Sequence, residues 1–274
     1  MMASDNQLLN KIKEDLHKSG FISELRAANI AKSKEWRVKF NSNYLDLDTG
    51  KSREFDLDVS NAFVTHPEFS LHIQLNIEVK KSKRPWVIFT EDISKTKYQS
   101  HSPGFGIITA FDNFSTAEVL DVKGLMEGFM RSEKSYLGRN FCEAFKDPDE
   151  PSKIFEALIS ISKASLYSRE LNMLPQAKEQ QDDPTMHYDP ELPCYYHIIQ
   201  PLVVLDGKLV GAKLNEEDEI VLMDSNYIPL ELEYTSEKYQ HKRFYPDIIT
   251  LDYLGEYLDR TKSWGNQIIN NVKR

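Results

Sequence analysis

Cysteine is almost missing from this sequence. Two thiols, Cys142 and Cys194, in 274 residues build neither a disulfide framework nor a cysteine-rich zinc site. A reducing, cytoplasmic setting is the expectation. No stretch approaches the roughly 18 consecutive apolar residues that a membrane helix requires, so no membrane contact is expected. The opening MMASDNQLLNKIKEDLHKSG interleaves charge with apolar residues and lacks the apolar core of a signal peptide. Glycine and proline number 11 and 12, and there is no repeat or low-complexity tract, which excludes collagen-like and linker-like architectures. Positive charge is in short supply: 34 Lys and Arg stand against 43 Asp and Glu, for a net charge of −9. That argues against a surface coated in basic residues, but leaves room for a local basic groove.

What is present is periodicity, and it changes along the chain. Leu8, Leu9, Ile12 and Leu16 have helical spacing, with Gly20 as a stop. A second helix is expected over Ile22 to Lys32, with Glu24, Ala27, Ala28 and Ala31 on one face. The period then shortens to two. Trp36 to Leu45 reads as a strand. In SREFDLDVSNAF, Phe55, Leu57 and Val59 alternate with Glu54, Asp56 and Asp58. After His66-Pro67-Glu68, LHIQLNIEVK sets Leu71, Ile73, Leu75, Ile77 and Val79 against His72, Gln74, Asn76, Glu78 and Lys80. Short turns between these strands predict an antiparallel meander. Pro85-Trp86-Val87-Ile88-Phe89 adds a short apolar strand.

The second half is expected to hold a helix over Ser115 to Phe145 and another over Ile154 to Leu171, the latter with Ile154, Leu158, Ile161 and Ser165 on one face. A loop is expected over Pro175 to Pro193. Strands follow at His197 to Leu205 and Lys208 to Leu214, joined by Asp206-Gly207, which reads as a hairpin turn. Further strands are expected at Ile220 to Met223, Ile228 to Tyr234 and Asp247 to Leu251, and a closing helix over Asp252 to Asn270. Length alone permits one large domain or two small ones. The element order favours one α/β domain over residues 1–274, a mixed sheet flanked by helices.

Side chains two apart on a strand share a face, so Glu78 and Lys80 project together. Asp56 projects from a similar polar row on the preceding strand. Antiparallel pairing would bring a carboxylate from each strand to one point. Two hard oxygen ligands with open water positions suit Mg²⁺, and an adjacent lysine adds a compact cation. Glu54 and Asp58 share the face of Asp56, so the first ligand can slip by two residues in either direction.

At these residues the sequence resembles the PD-(D/E)XK phosphodiesterase superfamily, the restriction-endonuclease-like nucleases: SREFDLDV, about twenty residues, then NIEVKKS. The resemblance covers residues 20–90 by motif and 152–270 by element order alone, with 100–146 as an insertion. It implies a restriction-endonuclease-like core, with Asp56 and Glu78 as metal ligands, Lys80 as the catalytic lysine, and Glu24 matching the glutamate that many members carry on the first core helix. It further implies Mg²⁺, with Mn²⁺ as a substitute, and hydrolysis of phosphodiester bonds in DNA, with RNA left open. A homodimer would suit cutting of both strands. Restriction, antiviral defence and repair are all compatible roles. Phe55 stands where many members have proline before the aspartate. The rival reading is a non-catalytic module of the same fold that binds a partner protein or nucleic acid.

Lys80, Lys81, Lys83, Arg84, Lys95 and Lys97 face only Glu91 and Asp92 between residues 79 and 97. Beside the acidic pair, Lys81, Lys83 and Arg84 are candidate phosphate contacts. Trp86 reads as core rather than as a base-stacking platform. Other motifs fail on their own terms. Thr49-Gly50-Lys51-Ser52 lacks the earlier glycine of a P-loop and lies between strands. Gly104-Phe105-Gly106 is half of a dinucleotide fingerprint. The seven histidines show no paired metal spacing, and His72 reads as a surface residue. The acidic run Glu216 to Glu219 reads as a solvated hairpin tip.

Overall fold

The computed structural model describes residues 2–66, 69–93, 108–112, 131, 135–147, 149–172, 194–239 and 243–271. Helices α1 (Met2–Lys18) and α2 (Phe21–Ser33) precede strands β1 (Arg37–Asp46), β2 (Lys51–His66), β3 (Phe69–Lys81), β4 (Trp86–Asp92), β5 (Ile108–Asp112) and β6 (Tyr136–Glu143). Helix α3 (Lys153–Asn172) leads to β7 (Cys194–Asp206), β8 (Leu209–Leu214), β9 (Ile220–Asp224), β10 (Tyr227–Pro229), β11 (Leu232–Glu233), β12 (Arg243–Phe244) and β13 (Asp247–Thr250). A 3₁₀ turn at Leu251–Tyr253 then opens α4 (Leu254–Asn271).

The result is a mixed α/β fold. The main sheet runs β1-β2-β3-β7-β13-β10, with β5 also on β7. β1, β2 and β3 form the expected antiparallel meander. β7 lies parallel to β3 along its whole length, from Phe69–Cys194 to Lys81–Asp206. A strand buried on both faces has no use for alternation, and IIQPLVVL in β7 has none. Leu202 and Val204 enter one core, Val203 and Leu205 the other.

The first core lies under α2 and α4. There Ala27, Ala28 and Ala31 bring α2 close against Leu75, Ile77 and Val79. The second lies under α3, where Ile154, Leu158 and Ile161 meet Trp86, Val203 and Ile248. Trp86 is fully buried and belongs to the core.

Three expectations are overturned. The strand expected over Ile228 to Tyr234 divides into β10, in the main sheet, and β11, which pairs with β12. The expected helix over Ser115 to Phe145 gives way to strand β6 at Tyr136–Glu143, and most of the range upstream of it lies outside the described residues. Pairing with β4, from Trp86–Glu143 to Asp92–Tyr136, outweighs local helical spacing. Asp206-Gly207 is not a hairpin turn. β7 and β8 belong to different sheets, and β8 joins a second sheet of order β6-β4-β8-β9. Gly207 serves a close approach instead: a Cβ there would lie 2.6 Å from the carbonyl oxygen of Ser82. Gly104-Phe105-Gly106, Pro175 to Pro193, Pro67-Glu68, Lys95 and Lys97 lie outside the described residues.

α1 forms as expected, yet Leu8, Leu9, Ile12 and Leu16 are all exposed. No described helix is long and apolar enough to cross a membrane.

Candidate active site

Asp56 owes its position to a bend. Phe40 pairs with Leu57 and Ser42 with Phe55, so Asn41 stands opposite Asp56. Asn41 has φ of 50°, a left-handed conformation that asparagine tolerates better than most residues. β2 stays paired with β3 only from Leu57–Ile77 onward. Past that point the β1–β2 hairpin swings away. Leu57 packs in the first core, whereas Phe55, two residues earlier, packs with Tyr44 in the second. Asp56 therefore lies where two strands diverge, and the continued register sets it opposite Glu78. Its Oδ2 accepts a hydrogen bond from the Val79 N–H at 2.7 Å.

Glu78 and Lys80 occupy the polar row of β3. That row is covered, not solvated. α3 lies over it, and Asn76 donates to Ser165 and Ser168, at 3.3 and 2.9 Å. Asn76 is fully buried and Glu78 is 8% exposed. Lys80 Nζ donates to Glu78 Oε1 at 2.5 Å. The other oxygen, Oε2, is buried without a hydrogen-bond partner. A buried carboxylate oxygen without a partner is costly, and it marks a position suited to a cation.

The electrostatics follow. Burial pushes the Glu78 carboxyl up to about 7, with Asp56 adding to the rise and Lys80 opposing it. Burial also raises Asp56, against the Val79 N–H and Lys80. Burial works against the charge of Lys80, but Glu78, Asp56 and Glu24 overcome it and hold the ammonium above its usual range. Glu24, in the first turn of α2, is raised by burial and by Asp56. It feels the field of the pair without joining it: among the described residues, no three carboxylate, imidazole or thiol groups gather as a metal cage. The protein offers two carboxylates, and Mg²⁺ is commonly bound by one or two, with water filling the rest.

Of Asp56 and Asp58, the structure brings Asp56 to Val79 and Lys80. Asp58 pairs with Asn76 and Lys39, and its charged neighbours are Lys39 and Arg37, not Lys80.

Above these groups opens a cleft of about 1140 Å³, with Glu24, Asp56, Lys80, Lys81, Lys83 and Arg84 on its walls. The sequence-predicted contacts Lys81, Lys83 and Arg84 are thus brought to the pair, although Arg84 is held by Glu150. Sequence reasoning missed Lys153, at the start of α3, and the carboxylates Glu14, Glu143, Glu150 and Glu156, which also line the cleft. Asp147 to Ser152 signalled a helix start, but not which side of the sheet that helix would cover.

His72, expected at the surface, is partly covered. It lies opposite His197 in register, with ring centroids 5.3 Å apart. No family model, curated protein or solved structure matches the chain.

Proposed function

We propose that this chain is a Mg²⁺-dependent phosphodiesterase with a restriction-endonuclease-like core, acting on DNA. One observation carries the reading: Glu78 is buried with one oxygen on Lys80 and the other unpaired, beside Asp56 at the divergence of β2 and β3. Asp56 and Glu78 would hold the ion, which when bound would acidify a water and draw charge from the scissile phosphate.

The side chains have separate tasks. The Val79 N–H fixes the Asp56 carboxylate. Glu78 keeps the Lys80 ammonium charged and aimed at the cleft, where it stabilises negative charge that develops on the phosphorus oxygens. Lys81, Lys83 and Lys153 on the cleft walls meet backbone phosphates, which position the strand without reading its sequence. In hydrolysis a water oxygen bonds to phosphorus, the opposite P–O bond breaks, and the leaving oxygen takes a proton. Glu24 supports the negative field around the ion from the side of α2.

Nicking of supercoiled plasmid in Mg²⁺ or Mn²⁺ tests the reading, alongside Asp56→Ala and Lys80→Ala and a parallel single-stranded RNA substrate. Metal-dependent cutting that both variants lose without a drop in melting temperature is the expected result. A folded protein that cuts neither DNA nor RNA in either metal would leave the non-catalytic binding module as the better reading.

A further inference from the structure

The second sheet ends on β9, which pairs only with β8 among the described residues. Its outer backbone edge has no described partner. Sheet edges of soluble proteins are blunted by proline, bulges or charges pointing inward. β9 has none of these. Its sequence is IVLMD, and its register with β8 runs unbroken from Val210–Asp224 to Leu214–Ile220. Residues paired across strands share a face, so Phe89, Ala212 and Leu222 lie side by side, as do Leu214 and Ile220. The stripe is apolar, and its large members are open to water around the buried Ala212: Phe89 is 40% exposed, Leu214 61%, Ile220 65% and Leu222 63%. A contiguous apolar patch of this kind marks an interaction surface.

We propose that β9 is a self-association edge: two copies of this chain pair β9 to β9, antiparallel, about a two-fold axis at Leu222. Charge selects this arrangement. The strand is acidic at both ends, with Glu216 to Glu219 before it and Asp224 at its close. Centred on Leu222, all five residues pair, Asp224 falls opposite Ile220 of the second copy, and Glu219 falls opposite Ser225. No acid opposes an acid. Sliding one or two residues toward the tip sets Asp224 against Glu219 or Asp218, which like-charge repulsion disfavours. The centred register also brings the acidic tip of each copy toward the Lys208 end of the other. Lys208 is half-exposed there and bonds Asp224 at 2.6 Å. The tip itself is held in shape, with Asn215 Oδ1 accepting from the N–H groups of Glu217 and Glu219. Pairing satisfies the open backbone edge and shelters Leu222 between the two copies. An isologous contact of this type closes at two copies and does not propagate. It makes no use of the cleft, so it stands or falls independently of the proposed chemistry.

Sedimentation of the full chain across a concentration series reads the association, and a cysteine placed on the axis reads the register. In a Cys142→Ser background, Leu222→Cys is expected to cross-link to its own copy through a short bis-maleimide, because directly opposed Cβ atoms lie about 5 Å apart. Leu214→Cys, equally exposed but one strand inward, is not. Leu222→Lys sets two ammonium groups face to face at an exposed position and is expected to weaken the dimer about tenfold or more, with the monomer still folded by circular dichroism. A chain that sediments as a monomer at every concentration overturns the proposal. So does a dimer that Leu222→Lys leaves intact, or one that cross-links at position 214 and not at 222.

Discussion

Asp56 Oδ2 accepts a hydrogen bond from the Val79 N–H at 2.7 Å, and this bond ties the bent hairpin to the strand it has just left. Beyond Leu57–Ile77 on that side the ladder between β2 and β3 has ended. Asp56→Asn keeps the shape but exchanges a charged acceptor for a neutral one. If Asp56 is a metal ligand, plasmid nicking by Asp56→Asn should fall about a hundredfold or more. Asp58→Asn, two residues along the same strand, should change it less than about threefold, because Asp58 faces Lys39 and Arg37. Initial rates at fixed Mg²⁺ check both.

Glu78 ordinarily titrates near 4.5 but holds its proton to about 7 in the fold. Between those values the folded chain binds more protons than the unfolded one, so stability falls as pH rises and levels off above pH 7. Glu78→Gln removes that loss. The metal-free variant should therefore be more stable than the parent at pH 8 by about 1–3 kcal/mol, with the difference vanishing near pH 4. Urea melts in chelator at the two pH values measure it.

The same carboxyl must lose its proton to bind a cation. Apparent Mg²⁺ affinity should weaken about tenfold per pH unit below 7 and become independent of pH well above it. Calorimetry at pH 6, 7 and 8, in buffers of different ionisation heat, reads both the affinity and the released proton.

Lys163 fastens the tip of the β1–β2 hairpin. Its ammonium donates to Asp46 at 3.0 Å and Asp48 at 2.6 Å, and lies about 5 Å over the Tyr234 and Tyr239 rings. Burial raises the carboxyl of Asp48, but bonds from Lys163, Ser236 and Tyr234 outweigh it and hold the group at about 2. Lys163→Met leaves Asp46, which is buried, with Arg53 as its remaining cation, at a cost of about 2–4 kcal/mol. A depressed carboxyl contributes stability above its ordinary value and loses it as pH falls through its folded one. The gap between parent and variant should therefore narrow as pH drops from 4 to 2, which chemical melts in that window test.

Gly207 sits where a Cβ would come within 2.6 Å of the Ser82 carbonyl oxygen. Gly207→Ala must push apart the β3–β4 and β7–β8 connections, at about 1–3 kcal/mol. Thermal unfolding measures the loss. The cleft wall at Ser82 should shift with it, so nicking should fall even at temperatures where the variant is fully folded.

The meander and the helices α2, α3 and α4 packed on it were legible in the residues alone, because their signals are local. Alternation in residues 54–59 and 71–80 survives any environment that buries one face. Helical spacing in Ile154, Leu158 and Ile161 fixes which stripe of α3 turns inward. The sequence also brought Asp56, Glu78, Lys80 and Glu24 to notice as charges on neighbouring elements. What it could not determine depends on contacts between residues far apart in the chain. The polar row of β3 reads as solvated until α3, some ninety residues later, covers it and turns Glu78 into a buried acid. Tyr136 to Glu143 becomes a strand because β4 offers it an edge. Gly207 is a point of contact between two sheets, not a hairpin turn. Local periodicity reports which side of an element is apolar, and only tertiary packing decides what lies against the other side.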